Sequence, residues 1–331
     1  MLIGHQFQWQ YLKNLAEMRE IPHAFLFSGP DQVGKRRVAI EFVKLLFGPE
    51  NRKTIEKGIH PDLTLIEPKG RSLLDKTLEG KQIQISQIRK LNSYFNLCSY
   101  SAPFKVAIID EAHCMNTEAQ SSFLKLLEEP RGRAIFVLIT PCPRMLLPTI
   151  LSRTQIIKFY KVSEDDLKKY LQNQGIAQET INEIMDFYDG RPGQILDFLS
   201  DPRRLEDQKE RILDIVKLMR SDLFFRFQYA KNLSKDPQKL SEVLDFWLRY
   251  FRKIFISKIK NMRSKQVLNS RLYDYTLANQ GSAERSEAEP YNGYSLNKLR
   301  SILRILQNTN FLISTTNVNP RLALEILMLE L

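Results

Sequence analysis

Residues 103–154 hold the feature that most restricts what this chain can fold into. Val106-Ala107-Ile108-Ile109 is an unbroken apolar run that ends at two acids, Asp110 and Glu111. A short run of this kind stopping at carboxylates predicts a buried parallel strand whose C-terminal end carries chemistry. A helix is expected next, Thr117 to Glu129, with Phe123, Leu124, Leu126 and Leu127 on its apolar face. A second apolar strand, Ala134 to Ile139, ends at Thr140, and the stretch closes on Leu147-Pro148-Thr149-Ile150-Leu151-Ser152-Arg153. Strand, acids, helix, strand, polar tip, arginine: that order suits phosphate chemistry at the edge of a parallel sheet.

A second constraint lies upstream. His23 to Ser28 reads as a strand running into Gly29-Pro30-Asp31-Gln32-Val33-Gly34-Lys35-Arg36, the G-x-x-x-x-G-K spacing of a P-loop. Its glycines let backbone N–H groups curl round a phosphate, and the lysine reaches the outer phosphates at a helix N-terminus. The helix follows at once, Arg37 to Phe47. Yet Arg36 stands where a working loop has a Ser or Thr hydroxyl for Mg²⁺. Two readings stay open at this point: a loop that binds nucleotide without hydrolysing it, and a relic of the fold.

Elsewhere the pattern continues the alternation. Gln6 to Arg19 is expected to be helical, with Leu12, Leu15 and Met18 on one side. Gly48 to Gly58 reads as turn, Leu63 to Ile66 as a strand, Lys69 to Lys81 as a surface loop, and Ile85 to Leu97 as a helix with Ser86 as N-cap. A fifth strand is expected at Ile156 to Phe159. Alternation of this kind specifies an α/β, doubly wound parallel sheet. After Tyr160 only helices are expected, the first capped by Ser163. Long amphipathic runs follow at Arg211–Met219, Lys239–Lys260 and Leu296–Ile313, while 278–292 lacks apolar content and reads as a disordered loop.

Charge and cysteine usage narrow the class. At 331 residues there is room for two or three domains, and the net charge of +11 is compatible with a nucleic-acid partner or with a merely basic protein. The basic run 249–265 is expected to be a solvated face over a packed core, with DNA contact as the alternative. Cys98, Cys114 and Cys142 have no C-x-x-C spacing, so three buried, reduced thiols are expected and no zinc. No apolar run approaches the length of a membrane span, so no membrane partner and a cytoplasmic location are expected.

Several blocks together resemble the delta-prime family of DNA polymerase III clamp-loader subunits, which are AAA+ proteins. They are Pro22-His23-Ala24, Gly58-Ile59-His60-Pro61-Asp62, Ile109-Asp110-Glu111-Ala112-His113, Leu124-Lys125-Leu126-Leu127-Glu128-Glu129-Pro130 and Leu147 to Arg153. The resemblance covers Gly4 to about Leu199. It implies an AAA+ domain over 1–160, a small helical lid over 161–204 and an all-α collar domain for hetero-oligomerisation over 205–331. It also implies a nucleotide-binding set of Gly29, Gly34, Lys35, Asp110 and Thr140. Asp110 and Glu111 match the Walker B pair, Thr140 the polar sensor, and Arg153 the arginine finger that clamp loaders offer to a neighbour's ATP.

Three departures sort the chain within that family. Arg36 replaces the Mg²⁺-binding hydroxyl, Gly193 occupies the place of the motor subunits' second sensor arginine, and the cysteine-rich zinc module is absent between Gly48 and His60. The implied role is a non-catalytic subunit of the polymerase holoenzyme. It would work with gamma/tau and delta subunits, the sliding clamp and primed DNA, requiring no cofactor or holding ATP or ADP unhydrolysed. An active gamma/tau-type motor and a stand-alone DNA-binding protein are the alternatives.

Overall fold

The computed structural model describes residues 2–18, 20–68, 82–97, 99–185, 187–263, 295–316 and 318–330. Among the described residues five strands form one sheet: β1 (Ala24–Ser28), β2 (Leu63–Ile66), β3 (Lys105–Ile109), β4 (Ala134–Thr140) and β5 (Gln155–Lys158). Their spatial order is β2-β3-β4-β1-β5, and every pairing is parallel. Parallel neighbours need long crossovers. These are built from α2 (Lys35–Phe47), α3 (Arg52–Glu56), α4 (Ile85–Phe95), α5 (Thr117–Glu128) and α6 (Pro148–Leu151), with α1 (Gln6–Met18) preceding the sheet.

Every residue of β3 and β4 is buried, which is why neither strand alternates in polarity. Alternate residues instead enter two separate cores. Ile135, Val137 and Ile139 join Phe25, Phe27 and the α2 residues Val38, Phe42 and Val43. Phe136 and Leu138 join Leu26, Ala107, α4 and α5 on the other side. There Phe136 meets Phe123 edge-on at 5.4 Å and lies against Phe95 at 4.8 Å. The expected doubly wound sheet is present.

The remaining helices are α7 (Glu164–Asn173), α8 (Gln178–Met185), α9 (Pro192–Ser200), α10 (Pro202–Arg220), α11 (Leu223–Leu233), α12 (Pro237–Arg263), Leu296–Thr315 and Pro320–Glu330. Ser163 caps α7 as expected, its Oγ accepting from the Asp166 amide at 3.1 Å. The chain divides into two compact units, Met1–Leu196 and Asp197–Leu331. The division falls within the 161–204 segment expected to be the lid. In the second unit Trp247, Phe251, Leu299, Ile302, Leu324 and Leu327 are buried. Within the described part of the basic run of α12, Phe251 is buried while Ile256 is 43% exposed. No described helix is long and apolar enough to cross a membrane.

Several local expectations are corrected. Gly48–Gly58 is not all turn: a 3₁₀ turn (Pro49–Asn51) leads into α3, whose Ile55 is buried. Gln84, not Ser86, caps α4, and its amide donates to Gln87 Oε1 at 3.1 Å. Met18 is 68% exposed although Leu12 on the same helix is buried. The thiols are not all in the core: Cys142 is exposed and Cys114 half-buried, while Cys98 lies outside the described residues. The loops expected at 69–81 and 278–292 also lie outside the described residues.

The block Gly58 to Asp62 has a structural purpose. Asp62 is fully buried, and its carboxylate accepts the amides of Tyr100, Ser101 and Ala102 at 2.7, 2.8 and 2.9 Å. Burial acts against its charge, but the three amide bonds outweigh burial and hold the carboxyl below its ordinary value. Asp62→Asn keeps one acceptor oxygen and turns an amide donor toward an N–H, so it is expected to cost about 3 kcal/mol of stability. A carboxyl depressed in this way stabilises the fold above the usual aspartate range. The contribution falls away as pH drops through the lowered folded value. Denaturant melts of both proteins at pH 7 and in acid should show the difference narrowing in acid.

Candidate functional site

β1 ends at Ser28, and the chain turns through Gly29 to Gly34 into α2. Gly34 has φ +104° and no side chain caps α2, so the first-turn amides are presented as an anion site. Lys35 is folded back into this loop. Its Nζ donates to the carbonyls of Gly29 and Pro30 at 2.5 and 2.6 Å, with Asp31 at 3.8 Å. Burial pushes its pKa down, and Asp31 and Asp110 oppose that shift. An incoming phosphate would compete with those two carbonyls for the ammonium.

The acids stand beside it because of the sheet register. Ile66 pairs with Ile109, so Glu67 and Asp110 follow the C-terminal ends of adjacent strands. Asp110 has both carboxylate oxygens engaged: Oδ1 accepts the Glu111 amide at 3.0 Å, and Oδ2 faces Arg36 Nη1 at 3.4 Å. The same Nη1 is ion-paired with Glu67. Burial raises the Asp110 carboxyl above its ordinary value, and Arg36 offsets part of the rise. Magnesium, which a P-loop with an acid pair implies, does not fit this donor set. The hydroxyl ligand is missing, Asp110 has no unengaged oxygen, and a fixed cation sits between the acids.

A cavity of about 470 Å³ opens over this floor. Gly34, Lys35, Arg36, Asp110 and Glu111 line its polar end, and Leu2, Ile3, His5, Tyr170, Pro192 and Leu196 contribute elsewhere to its wall. His5 Nε2–H donates to the Val33 carbonyl at 2.9 Å, tying the N-terminal segment to the loop. On the α9 side the Gly193 amide donates to the Gln32 carbonyl at 2.8 Å. A Cβ at Gly193 would lie 2.9 Å from that same oxygen, so backbone packs on backbone where the motor subunits are expected to carry a side chain.

The fold thus brings Gly34, Lys35, Asp110 and Glu111 together, and it leaves three expected residues off the cavity wall. Gly29 lies against Phe159, where a Cβ would meet the carbonyl oxygen at 2.2 Å. Thr140 is fully buried, its Oγ1 accepting the Cys142 amide at 3.0 Å. Arg153 is 39% exposed, pairs with Glu128 Oε1 at 3.0 Å and donates to the Thr149 carbonyl at 3.2 Å. Sequence reasoning missed Glu67 and the apolar wall. An acid one residue past β2 was the available signal for Glu67; nothing local marks Leu2, Ile3, Tyr170 or Leu196.

Known proteins are similar to the same part of the chain. A model of the family described as DNA polymerase III, delta subunit, matches residues 4–163. A DNA polymerase III subunit delta' of Bacillus subtilis (strain 168) is 35% identical over 176 residues, which is 50% of this chain and 50% of that protein. One from Pseudomonas aeruginosa is 31% identical over 142 residues, covering 40% of this chain and 41% of that protein. The tau subunit of B. subtilis is 28% identical over 173 residues, 49% of this chain and 29% of its own length. The match spans half or less of each of these relatives. All the site residues named above other than Leu2, Ile3, Tyr170, Pro192, Gly193 and Leu196 fall within the matched residues 4–163.

Proposed function

We propose that this chain is the delta-prime subunit of a bacterial clamp loader, a non-motor subunit that helps place the sliding clamp on primed DNA. In this reading it assembles with gamma/tau and delta subunits and completes a neighbour's ATP site with Arg153. Its own Lys35 loop holds a nucleotide, ATP or ADP, without hydrolysing it. DNA polymerase III subunits delta' and tau are among the relatives, which supports the assembly.

The observation that carries the reading is the position of Arg153. It lies two residues before β5, an edge strand, and so at that strand's N-terminal end. Its own phosphate loop leaves the C-terminal end of β1, where Ser28 pairs with Lys158 at the far end of β5. The four residues of β5 separate the two ends by about 10 Å. An arginine at the strand end remote from its own loop supports a role toward a neighbour's phosphate rather than its own.

Reconstitution with the loader subunits, clamp and primed DNA tests the proposal, scoring co-purification, ATP turnover and clamp loading. A chain that binds none of the loader subunits would sink it and favour the stand-alone DNA-binding protein. Taken alone, the chain should hydrolyse ATP no faster than buffer, because Arg36 removes a metal ligand and occupies Asp110. Turnover above background that disappears in Glu111→Gln would make it a motor instead.

A further inference from the structure

A phosphate-binding loop beside two carboxylates has a charge problem that a divalent cation ordinarily solves. Here Glu67 and Asp110 follow the ends of adjacent strands in register, two like charges at one sheet edge. The cation between them is covalently attached: Arg36, the second residue of α2, reaches both through Nη1. Nε and Nη2 have no partner among the described residues, and the side chain is 40% exposed at the cavity that holds Lys35. The guanidinium therefore has acids on one side and room for an anion on the other.

We infer that Arg36 is a resident counter-cation in the seat a metal takes in hydrolytic loops, and that the cavity takes a nucleotide polyphosphate as the metal-free anion. This rests on the reading that the Lys35 loop holds nucleotide. The argument is one of charge and coordination. A magnesium ion chelated by the phosphates would be driven against a guanidinium, with no hydroxyl and no unengaged Asp110 oxygen to receive it. The free polyphosphate meets Lys35 as a point charge and Arg36 through a planar fork, the geometry best suited to phosphate oxygens. Metal-free binding also removes the ion that hydrolysis needs, so retention without turnover follows from one residue.

The test is calorimetric titration of the full chain with ATP, and separately with ADP, in excess Mg²⁺ and in EDTA. Wild type should bind equally or more tightly in EDTA, within about threefold between conditions. Arg36→Thr restores the hydroxyl and frees Asp110, so Mg²⁺ should now strengthen ATP binding by about tenfold or more. Thermal melts with and without ATP report whether the variant folds. If it does not, the two wild-type titrations decide by themselves. Wild-type affinity that rises about tenfold with Mg²⁺ would overturn the inference while leaving nucleotide binding intact. No saturable binding in either condition would overturn both the inference and the nucleotide part of the proposed function. The role of Arg153 would not be touched, since a neighbour's turnover reads it.

Discussion

Arg153→Ala is expected to leave the chain folded and able to join its partners, while ATP turnover by the adjacent motor subunit falls by on the order of 10³-fold. The reason is electrostatic. An arginine aimed at the charge developing on a transferred phosphoryl group stabilises the transition state more than the ground state. Folding should be indifferent, because Arg153 is part-exposed and its ion partner among the described residues, Glu128, is 51% exposed. Exposed pairs of this sort contribute about 0–1 kcal/mol. In the proposed reading the contact with Glu128 would hold the side chain before a neighbour docks, so Glu128→Ala should reduce turnover far less than the loss of the arginine. Lysine at 153 should rescue poorly, since it keeps the charge and loses the planar fork. DNA-stimulated ATPase and clamp loading by the reconstituted assembly provide the measurement. Wild-type rates with Arg153→Ala would refute the trans-acting role.

The second large effect is on folding. Gly29→Ala should destabilise the first unit by about 3 kcal/mol or more. Its φ is +153°, a region closed to side chains, and an added Cβ would stand 2.2 Å from the Phe159 carbonyl oxygen. That oxygen cannot swing away, for Phe159 is anchored by its amide to the Ser28 carbonyl at 2.7 Å and its ring is buried. Relief therefore requires β1 and the chain leaving β5 to separate just where the loop begins. Gly34→Ala is the internal comparison. It has φ +104° but open space around the Cβ position, so backbone strain alone should cost about 1–2 kcal/mol. Urea melts of the two variants should differ in midpoint accordingly. Equal midpoints would mean that the carbonyl contact is not what requires glycine at 29.

The sheet was legible because burial on both faces leaves a plain mark. Val106 to Ile109 and Ala134 to Ile139 read as continuous apolar runs, and both are buried along their whole length. Caps were less legible. Ser86 is a better capping residue than Gln84 by type, yet the cap falls two positions earlier because Gln84 and Gln87 satisfy each other there. Cysteine burial could not be read from composition at all: Cys142 is exposed, at the turn that follows β4.

By itself, the sequence determined the parallel α/β class, the G-x-x-x-x-G-K loop after the first strand, the acids after the third and the missing metal hydroxyl. Each of these is a local property of residue type and spacing along one segment. Only the tertiary structure decided what Arg36 does instead, because its partners Glu67 and Asp110 are 31 and 74 positions away and meet it through strand register. It likewise placed Gly193 against Gln32 and Arg153 at the opposite end of β5 from its own loop. Such relations depend on which strands pair and in what register, and that is settled when the two cores close on the sheet.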